Sequence, residues 1–203
     1  MITREEFDDA LSELVNIGVG RAAASLSTMV KEKIDLSVPK VVTISFQELS
    51  FQLGLEEELT EESMVSIVQQ PFVGKVGGTA SILFPVSSAR KLVGLLTDGL
   101  LSSEELDLEM EAALTEVGNI LINGVMGTIG NITGMEINFQ LPEYQKCSTG
   151  ELEHSFQNRD LMLAMVLIAI QGQQIKGHLI LLFDLPSLES LQQFIEHNYG
   201  GDD

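Results

Sequence analysis

Apolar and polar positions follow two distinct periods along this chain. Over 4–31, Phe7, Leu11, Leu14, Val15, Gly18, Ala22, Leu26 and Met29 recur three or four residues apart, which is the spacing of one helix face. The same helical pattern returns over 104–132. Short apolar runs bounded by turn residues predict strands near 35–46, 62–72 and 76–85, and again near 135–143, 159–170 and 176–184. A helix over 87–97 follows Pro85, and one over 186–198 starts at Pro186; proline is tolerated there because the first helical N–H has no partner to lose. The runs at 159–170 and 176–184 are almost continuously apolar, which predicts strands covered on at least one face and central in a sheet.

This pattern is one unit written twice. At an offset of 103, Ala10 aligns with Ala113, Leu11 with Leu114, Glu13 with Glu116, Asn16 with Asn119, Ile17 with Ile120, Ile34 with Ile137 and Pro39 with Pro142. Both copies read E-x2-N-x22-P. Further on, "GGTASILFPVSSARKLVGLL" (77–96) resembles "KGHLILLFDLPSLESLQQFI" (176–195) at a slightly shorter offset. Each copy, about 1–100 and 101–203, predicts helix, three strands, helix. Three strands do not easily make an isolated core. The expected fold is therefore α+β: one domain over 1–203, with two pseudo-symmetric repeats sharing a largely antiparallel sheet and helices packed against it.

The two long helices carry an unusual polar pair. Residues three apart on a helix share a face, so Glu13 and Asn16 point the same way, with Asp9 one turn before and Gly20 one turn after. The apolar stripe lies elsewhere and is expected to face the sheet, leaving 9–13–16–20 to solvent. The matching stripe in the second copy is Ala112, Glu116, Asn119 and Asn123. A single exposed Glu-x2-Asn is an ordinary solvated helix face. Its duplication, with a proline held in register downstream, is what singles it out. Asn and Gly are poor helix formers; clearance for a docking partner and close helix packing both account for Gly20 and Gly118.

Composition narrows the chemistry. The chain has 30 acidic and 11 basic residues, a net charge of −19, and no basic cluster. Nucleic acid is excluded as a partner by phosphate repulsion; the charge serves solubility, or attracts a basic protein face. Hydrophobic residues make up 44%. The longest apolar run, Leu161 to Ile170, is half of the roughly 20 residues a bilayer span needs. The N-terminus shows no apolar signal core, so no membrane insertion and a cytoplasmic location are expected. Cys147 is the only cysteine, which excludes an internal disulfide and a multi-cysteine metal site. His154 in a polar loop, His178 in an apolar strand and His197 in the last helix match no zinc spacing. No phosphate-binding glycine loop is present either.

Asp9-x3-Glu13-x2-Asn16-x22-Pro39, with "NIGVGRAAASLS" (16–27) and "VPKV" (38–41), resembles the signature of the CheC/CheX/FliY family of chemotaxis phosphatases. The second copy matches from Glu116 through Asn119 to Pro142 but has Ala112 at the leading position. Two sites in a chain of this length are most similar to the CheC type. The resemblance implies an enzyme that dephosphorylates the aspartyl phosphate of a CheY-type response regulator. Glu13 and Glu116 would dock on the regulator, and Asn16 and Asn119 would hold the attacking water in line. Asp9, Pro39 and Pro142 would be supporting motif residues. No cofactor of its own is implied; Mg²⁺ and a lysine would belong to the regulator. The alternative implied by the same resemblance is an adaptor, weakly catalytic or not at all, for the receptor deamidase CheD, and CheD is a second implied partner.

Overall fold

The computed structural model describes residues 3–30, 33–45, 64–97, 103–148, 151–152, 160–170 and 172–199. Its elements run α1 (Arg4–Val30), β1 (Ile34–Ser45), β2 (Met64–Gly74), β3 (Gly78–Pro85), α2 (Val86–Leu96), α3 (Ser103–Thr133), β4 (Ile137–Phe139), β5 (Glu143–Ser148), β6 (Asp160–Ile170), β7 (Gln173–Phe183) and α4 (Leu185–Tyr199). Among the described residues the fold is α+β, a seven-stranded antiparallel sheet with the four helices named above.

The strand order is β1-β6-β7-β3-β2-β4, with β5 also on β2. Each half supplies one edge, and that edge strand pairs with a strand of the other half: β1 with β6, and β4 and β5 with β2. The halves also meet at the centre, where β3 pairs with β7.

One prediction needs correction. The strand read over 135–143 is confined to β4 (Ile137–Phe139), the chain breaks at 140–142 where Pro142 lies, and a further strand, β5 (Glu143–Ser148), was not predicted. Across that break the chain takes four steps, Phe139 to Glu143, against three on β2, Phe72 to Gln69. The first half has the same one-residue surplus. Ser37 to Lys40 is three steps, against two on β6 from Leu167 to Met165. Pro39 lies inside that interval. Proline lacks the N–H a ladder needs, so it belongs at an edge or a bulge, and these two sit at both. In both copies of E-x2-N-x22-P the proline thus lies where the edge carries one residue more than its partner strand.

α1 packs against β1 and α3, and α3 packs against α1, α2, β2 and β3. The predicted stripe Phe7, Leu11, Leu14, Val15, Ala22 and Leu26 is buried, but Met29 is 42% exposed. The stripe does not face the sheet alone. A Cβ on Gly18 would lie 2.5 Å from Val125 Cα, and one on Gly124 would lie 2.9 Å from Ala22 Cβ. These glycines let α1 and α3 touch backbone to backbone. β6 and β7 lie inside the sheet, as their apolar runs predict. Within α3, Glu109–Thr133 is long and apolar enough to cross a membrane by length and composition alone, and half of its most apolar window is buried inside the fold.

Candidate active site

α1 starts behind a reciprocal cap. Thr3 N–H donates to the Glu6 carboxylate at 2.7 Å, and Glu6 N–H donates to Thr3 Oγ1 at 3.3 Å. The side-chain and backbone hydrogen bonds from Thr3 hold the Glu6 carboxyl below its ordinary range. Two turns later the first polar stripe begins. Asp9, Glu13, Asn16 and Gly20 are all exposed, as predicted. Asn16 Nδ2 donates to the Ser12 carbonyl of its own helix at 2.9 Å, which leaves Oδ1 as the amide's acceptor toward solvent. A Cβ on Gly20 would meet nothing within 4 Å.

The second stripe differs. Ala112 and Glu116 are exposed, but Asn119 and Asn123 are half-buried. Asn119 Oδ1 accepts two hydrogen bonds, at 2.6 Å from Asn123 Nδ2 and at 3.3 Å from Gln70 Nε2. Gln70 lies on β2, is 2% exposed, and its Nε2 also donates to the Gln140 carbonyl at 3.0 Å. Gln140 N–H is itself tied to the Pro71 carbonyl at 2.9 Å. The anchor thus runs from the edge bulge through β2 to the Asn of the second pair. Gly118 is a packing glycine: a Cβ there would strike Val68 Cγ1 at 2.7 Å and Ile82 Cγ2 at 3.0 Å.

Each Glu–Asn pair therefore sits on its own long helix, and the two helices pack side by side. Pro39 and Pro142 lie at opposite edges of the sheet. Gln70 was not foreseen. Its signal was present: it occupies a helix-facing strand position between the buried Val68 and Phe72, where the alternation asks for an apolar residue. Cys147 is buried on β5, and burial, then the nearby Glu151, pushes its thiol pKa up, against nucleophilic use. His178 is buried in β7, His197 is exposed in the last turn of α4, and His154 lies outside the described residues.

Residues 7–43 match the CheC-like family. That stretch spans the first pair and its proline. The chain is 26% identical to the CheY-P phosphatase CheC of Bacillus subtilis, over 93% of each chain. Its fold is similar to that of FliY from Thermotoga maritima, with a TM-score of 0.74 and 18% identity, covering 97% of this chain and 99% of that one. It is also similar to a chain of the CheX-CheY-BeF3-Mg²⁺ complex from Borrelia burgdorferi, with a TM-score of 0.51 and 17% identity over 82% of this chain and 95% of that one. The CheC-like resemblance drawn on the paired motif is thus met by sequence over nearly the whole chain, and the α+β fold by both solved structures.

Proposed function

We propose that this chain is a hydrolase that removes the aspartyl phosphate of a CheY-type response regulator. The observation that carries this reading is a carboxylate–amide pair on each of two adjacent helices, exposed on the first and with an exposed carboxylate and a half-buried amide on the second, in a chain similar over 93% of its length to a protein named CheY-P phosphatase. In this reading each helix enters the regulator's phosphorylation site. Glu13 and Glu116 dock on the regulator's lysine. Asn16 and Asn119 meet the water that attacks phosphorus in line. The water oxygen forms a new bond to phosphorus, and the acyl-phosphate P–O bond breaks. Aspartate leaves as carboxylate, and the water proton passes to the released phosphate or to solvent.

An amide positions but is no strong base, so catalysis is by alignment and charge stabilisation, as in other phosphoryl transfers. The regulator supplies Mg²⁺. The exposed Gly20 adds no bulk beside Asn16, which suits close approach. The test is phosphate release from phosphorylated CheY. Asn16→Ala combined with Asn119→Ala leaves the regulator's own rate. A double variant that matches wild type sinks the reading, and a sharp pH profile near 7 would replace alignment with general-base catalysis.

A further inference from the structure

Around Asn119 the amide directions form a chain fixed at one end. The Gln140 carbonyl can only accept, so the Gln70 atom facing it at 3.0 Å is the donor Nε2. The same nitrogen reaches Asn119 at 3.3 Å, so the atom there is the acceptor Oδ1. Asn123 must then approach with its own N–H, at 2.6 Å. Both lone pairs of Asn119 Oδ1 are used, and Nδ2 is the end the amide has left to offer.

Among the described residues the first pair has neither anchor. Ile168 stands opposite Leu36, and Phe72 stands opposite Phe139, its counterpart 103 residues later. Two residues back along each strand, Val166 occupies the position that Gln70 holds. Gly20 likewise occupies the position of Asn123. Among the described residues Asn16 accordingly bonds only within its own helix.

Gln70 also carries an oddity. Its Oε1 is buried with no hydrogen-bond partner among the described residues, a destabilising arrangement for a core residue. An apolar side chain of the same length would avoid it. What Gln70 supplies is the placement of Asn119.

We infer that Gln70 is a positioning residue of the second site: with Asn123 it locks the Asn119 amide with its N–H2 end toward the docking partner, so that the second site is preset and the first is not. This rests on the proposed phosphatase reading. The lock removes a rotation that Asn16 keeps, and aligned groups gain rate from restricted freedom.

The test uses full-length protein and phosphorylated CheY. In an Asn16→Ala background only the second site acts, and there Gln70→Met is expected to lower kcat about tenfold with KM unchanged, since Glu116 still docks. In an Asn119→Ala background, where only the first site acts, Gln70→Met changes neither constant, which also shows that the variant folds. Its melting temperature stays close to the parent's, because loss of the unpaired oxygen offsets loss of the Nε2 hydrogen bonds. Unchanged kcat at the second site overturns the inference, as does a drop at both sites together with lost stability, which marks Gln70 as merely structural. An Asn16→Ala variant with no activity above the regulator's own rate overturns it too, because the second site is then idle. Failure of the phosphatase reading is distinct: the double Asn variant would still match wild type.

Discussion

His178 lies in the middle of β7, 5% exposed, with Nδ1 lacking a hydrogen-bond partner among the described residues. Burial first, and the nearby Lys176 second, push its pKa down from the ordinary 6.5 to about 4. The folded protein therefore holds a neutral imidazole where the unfolded chain, below pH 6.5, takes up a proton. The contribution to stability is full above 6.5, declines as pH falls, and is exhausted below about 4. A shift of this size corresponds to about 3 kcal/mol. His178→Leu should remove it. Urea titrations of wild type and variant between pH 7 and 4 should diverge by this amount, and parallel curves would show that the imidazole is not kept neutral by the fold. This group is far in character from the candidate sites, whose Asn side chains do not titrate. Acid should thus weaken the fold without changing the charge of either Asn amide.

At the level of elements, the crossing of α1 and α3 decides where the two polar stripes stand relative to each other. Gly18 and Gly20 lie two residues apart on α1 and have opposite surroundings. Gly18→Ala drives a methyl to 2.5 Å from Val125 Cα, a backbone atom that cannot step aside. The expected loss is about 1–3 kcal/mol. Gly20→Ala meets open space and should gain roughly 0.5–1 kcal/mol through helix propensity. Denaturant midpoints that move in the same direction for both would contradict this crossing. The two periods of apolar spacing made the helices and most strands legible from sequence. What stayed hidden needed contacts between distant parts of the chain. The glycines of α1 showed only as small residues, since their partner is another helix 107 positions away from Gly18 in the sequence, at Val125. The split between β4 and β5 was written in Pro142, but continuous apolar spacing hid it. The stripe over 9–20 was legible because its residues are exposed. Asn119 was not, because its anchor comes from Gln70 on a strand packed under α3.

Across the whole molecule, the sheet interleaves the two halves, and this bears on how the chain folds. Of the strands in the first half, β2 and β3 pair with each other, while β1 has β6 as its sole sheet neighbour among the described residues. In the second half β6 and β7 form a hairpin, and β4 and β5 rest on β2. Cutting the chain near residue 100 therefore leaves each piece with a two-stranded hairpin, one orphaned edge, and a long helix stripped of its glycine contact. An isolated hairpin is marginal in water, and one amphipathic helix adds too little apolar burial to offset the entropy of ordering. Fragments 1–100 and 101–203 should each be unfolded by circular dichroism and should recover the native spectrum on mixing. The intact chain should unfold in one transition, with fluorescence and circular dichroism coincident. A fragment that folds alone, or two separate transitions, would mean that the halves are independent. The two Glu–Asn pairs, one on each half, would then no longer be held at a fixed separation by a single sheet.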